Sequence, residues 1–149
     1  MSWKYEYQSD LANEIKIINR IEKMWNCESE KMHGFSYADF ILIRGKIDGV
    51  AQAAAFCEIR VRTNDMAKYP TVFITLNKYK NMLMMSEFTG LPSFFVCQFA
   101  DRCAYLKLTA ENEGTTYPKR NRPKGKDHFD EPCVLLSLDK FTVLWEGRA

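Results

Sequence analysis

Between residues 10 and 26 the apolar positions fall three and four apart: Leu11, Ile15, Ile18, Met24 and Trp25 alternate with polar residues, and Asp10 stands where a helix N-cap belongs. This predicts an amphipathic helix. A polar, turn-prone stretch follows, and then two apolar runs, FSYADFILIRG and VAQAAAFCEIRVR, are split by KIDG. Asp-Gly between two such runs is a strong hairpin signal, because a two-residue turn needs positive φ at both positions. After Tyr69-Pro70, TVFIT reads as a strand leading into a helix over LNKYKNMLMMSEFTG, with Thr75 as N-cap, Gly90 as stop, and Met82, Met84 and Met85 as core packing. SFFVCQF and CAYLKL read as strands around the turn Ala100-Asp101-Arg102, while CVLLSL and FTVLWE are expected to pair with each other at an edge. The order α-β-β-(β)-α-β-β followed by a tail predicts an α/β (α+β) fold. Its centre would be a mixed sheet of about four to six strands flanked by helices.

One long stretch, ENEGTTYPKRNRPKGKDHFDEP, has no hydrophobic periodicity and holds the one local concentration of basic residues, so it reads as a functional or a disordered loop. The chain has 149 residues, 46% of them hydrophobic, enough for one domain with a single core, residues 1–149. Its five cysteines are odd in number and mostly sit inside apolar runs, which favours reduced core thiols over a disulfide framework. The N-terminus lacks an apolar stretch behind a positive region, and no window approaches the roughly eighteen apolar residues of a membrane span. A cytoplasmic protein without a membrane partner is the expectation. A net charge of +2 and a pI near 8.2 are too mild to diagnose a nucleic-acid partner by themselves.

The candidate chemistry lies in two carboxylates, Asp39 in SYADFILIRG and Glu58 in AFCEIRVR, each set in an otherwise apolar strand. A lone buried carboxylate is costly, so such residues are normally paired, hydrogen-bonded or metal-bound. Two of them on neighbouring strands suggest a shared cation, and ion pairs with Arg44 and Arg60 are the structural alternative. Zinc is a poor fit: His33 and His128 are isolated, there is no Cys-x-x-Cys, and Cys97 and Cys103 are badly spaced. Cys57 has no histidine near it in sequence to activate a thiol nucleophile.

An Asp on one strand, a hairpin, and then Glu-x-Arg at the end of the next resembles the metal site of the PD-(D/E)XK nuclease superfamily. The context EIRVRTN, YPTVFITLNKYK and GLPSFFVCQFADRCAYLKL is similar to small phage-type members, over about residues 11 to 108. The resemblance implies a restriction-endonuclease-like core and metal-assisted hydrolysis of DNA. Asp39, Glu58 and the Ile59 carbonyl would hold Mg²⁺ or Mn²⁺, and Glu14 on the preceding helix would be a third acidic feature, with Glu22 a weaker one. Arg60 stands where the family pattern has lysine, and a guanidinium does not trade protons near neutrality. The resemblance therefore points to Lys78, or less readily Lys80, as a lysine moved to the next helix. Arg62 and the run Lys119, Arg120, Arg122, Lys124 and Lys126 would grip the DNA backbone, with Tyr117 available for stacking. A homodimer is a further implication, and a catalytically lapsed DNA-binding or protein-interaction module is the alternative.

Overall fold

The computed structural model describes residues 2–32, 38–112, 116–120 and 130–149. The first helix, α1 (Ser2–Trp25), starts well before Asp10, which therefore lies inside it and not at its N-cap position. Its buried stripe is Ile17, Ile18 and Ile21, whereas Ile15 and Met24 are exposed. The i, i+3, i+4, i+7 stripe that packs thus begins at Glu14, and the apolar residues off it face water.

Next come β1 (Glu28–Lys31), β2 (Phe40–Ile47) and β3 (Val50–Val61). The predicted hairpin forms, and its turn has Asp48 at φ 51° and Gly49 at φ 78°, the pair of positive values that the Asp-Gly signal implies. Strand β2 begins at Phe40, so Asp39 sits just before the strand instead of within it. The short, polar β1 was not foreseen, because ESEK carries no apolar alternation; it is an edge strand held by its ladder to β2.

β4 (Thr71–Thr75) runs directly into α2 (Leu76–Thr89). Thr75 occupies the N-cap position without a side-chain capping bond, and Gly90, at φ 76°, ends the helix by donating its N–H to the Ser86 carbonyl at 2.8 Å. Of the three methionines, Met82 is fully buried, Met85 packs partly and Met84 is exposed.

β5 (Ser93–Gln98) and β6 (Arg102–Lys107) form the second predicted hairpin. They are followed by β7 (Thr116–Arg120), β8 (Asp130–Ser137) and β9 (Thr142–Glu146). β8 and β9 do not pair with each other. β8 lies between β4 and β7 in a three-stranded sheet, and β9 closes the edge of a six-stranded sheet in the order β1-β2-β3-β5-β6-β9. Leu138 to Phe141, between them, carries the chain from one sheet to the other. Part of the stretch expected to be a loop is therefore ordered as β7, whose pairing with the apolar β8 compensates for its own lack of periodicity.

The large sheet is mixed, with β3 and β5 parallel and the remaining pairs antiparallel. One face, carrying Cys57, Ile59 and Val96, packs under α1. The other, carrying Phe56, Phe95 and Cys97, packs against α2 and the small sheet. Cys57, Cys97, Cys103 and Cys133 are buried free thiols and Cys27 is partly exposed. No helix among the described residues is long and apolar enough to cross a membrane.

Because Ile21 is fully buried and Ile15 is about half exposed, Ile21→Ala should cost roughly 2–5 kcal/mol and Ile15→Ala less than about 0.5 kcal/mol. Urea unfolding of the two variants measures the contrast; equal losses would mean that α1 packs through a different face.

Candidate active site

The site forms where β2 begins and β3 ends. The ladder between them runs through Phe40↔Cys57, and one further step sets Asp39 opposite Glu58. Past Cys57, β3 has lost β2 as its neighbour. The Asp39 carboxylate replaces it, with Oδ2 accepting the Ile59 N–H at 2.9 Å. Since the N–H and C=O of a strand residue point to the same side, the Ile59 carbonyl is turned towards the Asp39 edge. The other Asp39 oxygen, Oδ1, lies 3.8 Å from Lys31 Nζ, which also donates to Glu14 Oε2 at 2.9 Å.

Alternation along β3 puts Glu58 and Arg60 on the face opposite α1, and Arg62, the residue after the strand, follows them there. Glu58 is 4% exposed. Its carboxylate receives Lys78 Nζ at 3.2 Å and 3.1 Å, one contact to each oxygen. Lys78 comes from the first turn of α2, placed there by the direct passage from β4 into the helix. Glu14, Asp39, Glu58, Ile59, Arg60 and Lys78 line one open cleft of about 310 Å³, together with Val61 and Arg62.

Several expected residues fall elsewhere. Lys80 lines a separate cavity with Asn77 and Pro132. Glu22 accepts a hydrogen bond from Ser29 at 2.8 Å and is not part of the cleft. Arg44 donates to the Trp25 carbonyl, so it does not pair with either carboxylate as the structural alternative supposed. Lys119 and Arg120 lie on β7, facing Glu131 and Asp130 in the ladder, but their side chains, like that of Tyr117, are outside the described residues. Arg122, Lys124, Lys126, His33 and His128 are outside them altogether. Lys31 was missed, since it is carried by the strand that had no apolar signal.

A family model described as "phage putative PDDEXK endonuclease" matches residues 1–144. The chain belongs to this family. A solved structure, that of Hjc, a Holliday junction resolvase from Archaeoglobus fulgidus, is similar in fold with a TM-score of 0.56, covering 90% of each chain at 6% sequence identity. The fold is therefore restriction-endonuclease-like. No curated protein matches the chain.

Asp39, Glu58 and Arg60, the residues that the sequence resemblance singled out, all line this cleft. The Arg60 Nε is buried and has no hydrogen-bond partner among the described residues. Lys78 is the ammonium that reaches the Glu58 carboxylate.

The donor set suits a hard divalent cation. Asp39 Oδ1, the Glu58 oxygens and the Ile59 carbonyl are all oxygen ligands, the type Mg²⁺ and Mn²⁺ prefer. No group of three or more His, Cys, Asp or Glu side chains converges closely enough to hold a metal among the described residues. Two carboxylates and a carbonyl nonetheless fit Mg²⁺, which is commonly held by one or two carboxylates and keeps several waters. The electrostatics agree with this fit. Burial, and then the negative charge of Asp39, push the Glu58 carboxyl up from 4.5 to about 7, although Lys78 and Arg60 pull it down. The neighbouring Cys57 thiol is pushed well above its usual range by burial and by both carboxylates, which removes it as a nucleophile near neutrality.

With its pKa raised from 4.5 to about 7, Glu58 binds a proton more tightly in the folded than in the unfolded chain. The metal-free protein should therefore lose stability as pH rises from 4.5 to 7, by on the order of 3 kcal/mol from this group. Chemical denaturation in chelator across this range should show the decline, and Glu58→Gln should flatten it. An unchanged slope in that variant would assign the titration to another group.

Proposed function

We propose that the protein is a divalent-metal-dependent DNA nuclease that hydrolyses phosphodiester bonds in the cleft between β2, β3 and α2. The observation that carries this reading is the convergence of Asp39, Glu58, the Ile59 backbone and Lys78 in one cleft of a chain from a PD-(D/E)XK endonuclease family. Asp39, Glu58 and the Ile59 carbonyl would hold Mg²⁺ or Mn²⁺. A cation there lowers the pKa of an attacking water and neutralises charge developing on the phosphate.

The remaining steps belong to the protein. Asp39 spends one oxygen on the Ile59 N–H, which fixes the plane of its carboxylate and leaves the second oxygen for the cation. Lys78, at the mouth of Glu58, does what lysine does at the usual motif position: its ammonium orients the water and offsets charge developing on the phosphate. The Arg60 guanidinium, with its forked N–H donors, suits an anionic phosphate oxygen. The Lys31–Glu14 pair braces the outer side of Asp39, so Glu14 is a positioning residue in this reading. Arg62 and the basic run from Lys119 to Lys126 would hold the flanking backbone through charge.

The test is cleavage of linear, nicked, single-stranded and branched DNA with Mg²⁺ or Mn²⁺. Asp39→Ala and Glu58→Ala should abolish cutting while the circular dichroism spectrum stays native. Lys78→Met should lower kcat by about 10²- to 10³-fold, the usual cost of one well-placed electrostatic group, and leave DNA affinity within a few-fold. Activity that survives both carboxylate changes, or an enzyme inert on every substrate, would overturn the reading in favour of a DNA-binding module.

A further inference from the structure

The carboxylate cleft has a larger neighbour that phosphodiester chemistry does not use. Arg62 lines both: on one side it joins Glu58 and Arg60, and on the other it borders a cavity of about 440 Å³ with Asn64, Tyr69, Thr71, Phe73 and Phe99. This volume lies within the roughly 300–1,000 Å³ typical of small-molecule sites. Three of its ten lining residues, Tyr69, Phe73 and Phe99, are aromatic, and Arg62 adds a planar cation among aliphatic and small polar neighbours. The Arg62 guanidinium carbon sits 4.7 Å from the centre of the Phe73 ring, within cation–π reach. Tyr69 is 53% exposed, a large aromatic surface left open to solvent at the rim. Lys68 Nζ lies 5.5 Å from the centre of that ring, adding a second positive charge.

We propose that this cavity receives a single unpaired nucleobase belonging to the nucleotide next to the phosphate bound in the cleft. The inference rests on the nuclease reading for what fills the cleft; the cavity's own lining argues for the base. Aromatic rings and an arginine plane are what a base stacks on, whichever base it is, and the Arg62 and Lys68 cations suit the phosphates that flank a nucleoside. A base within a duplex is stacked and paired and cannot enter a recess of this kind. Only a single strand, a strand end, or a base extruded at a junction or lesion can. Both cavities draw on two shared segments: the end of β3 and the residue after it supply Glu58, Arg60 and Arg62, and the segment from Tyr69 through β4 into α2 supplies Tyr69, Phe73 and Lys78. The structure thus couples the position of one base to the position of the scissile bond and selects for DNA with unpaired nucleotides.

The experiment measures binding of end-labelled single-stranded oligonucleotides by fluorescence anisotropy in chelator, where no cutting occurs, with an abasic nucleotide walked through each position. The wild-type protein should lose at least about fivefold in affinity when the abasic nucleotide reaches one particular position, the scale of one stacked base. Tyr69→Ala should be insensitive to that position, and Tyr69→Phe, which keeps the ring, should behave as wild type. Because Tyr69 is half exposed, its removal should leave the melting temperature nearly unchanged. Affinity that ignores the abasic position in the wild type, or sensitivity that persists in Tyr69→Ala, would overturn the proposal. A sensitive position found in a protein that cuts nothing would support the base site and remove the nuclease reading instead.

Discussion

Glu58 brings a carboxylate onto an inner strand of the large sheet, with apolar residues on either side of it and almost no access to water. A charge in such a place costs several kcal/mol unless something compensates it. Compensation is incomplete here. Lys78 covers both oxygens, but the hairpin sets a second carboxylate opposite, and the net effect still raises the Glu58 pKa to about 7. A carboxylate arranged this way has two ways to relax, to take up a proton or to share a second cation. Near neutral pH the first is only half available, and the oxygen donors around it favour the second.

The rest of the architecture follows from the need to keep that pair together. Asp39 takes the backbone partner that β2 would otherwise have supplied, so the strand's end and the carboxylate's orientation are set by one bond. The entry of α2 straight from β4 delivers an ammonium to the other side of the sheet from α1. Polar residues recur at every second position along the end of β3 and into the residue after it, so Glu58, the candidate phosphate contact Arg60 and Arg62 of the adjacent cavity follow one another in a single row.

Much of this was legible in the residues. The Asp48-Gly49 signal located the hairpin, and counting outward from a two-residue turn sets Asp39 opposite Glu58, a count that holds because two irregularities in the ladder cancel. Glu14 was legible too, since it lies three, four and seven positions before the isoleucines that pack. Reading Ile15 and Met24 as the buried face concealed this, because hydrophobicity alone does not say which of two overlapping stripes meets a sheet. β1 and β7 left no trace in the pattern, as an edge strand with polar residues is defined by its partner's ladder. The exchange of partners by β8 and β9 was equally hidden: two adjacent apolar runs look like a hairpin, and only the existence of a second sheet separates them. Lys31, a residue of the site carried by such an edge, had no signal of its own.

The β2–β3 ladder is interrupted twice. Between Leu42 and Ile43 the extra residue is on β3, and between Ile43 and Lys46 it is on β2, where Gly45 adopts φ 77°. The two offsets cancel, so the pairing at the carboxylates has the same phase as the pairing at the turn. Length in this hairpin behaves like a differential: residues can be gained or lost at the distal end only in matched pairs. An unmatched change on either strand would turn one carboxylate towards the wrong face of the sheet, even with every residue of the site intact. Lineages of this fold would then be free to vary the composition of the hairpin widely while its parity stays under selection, a constraint invisible at any single position.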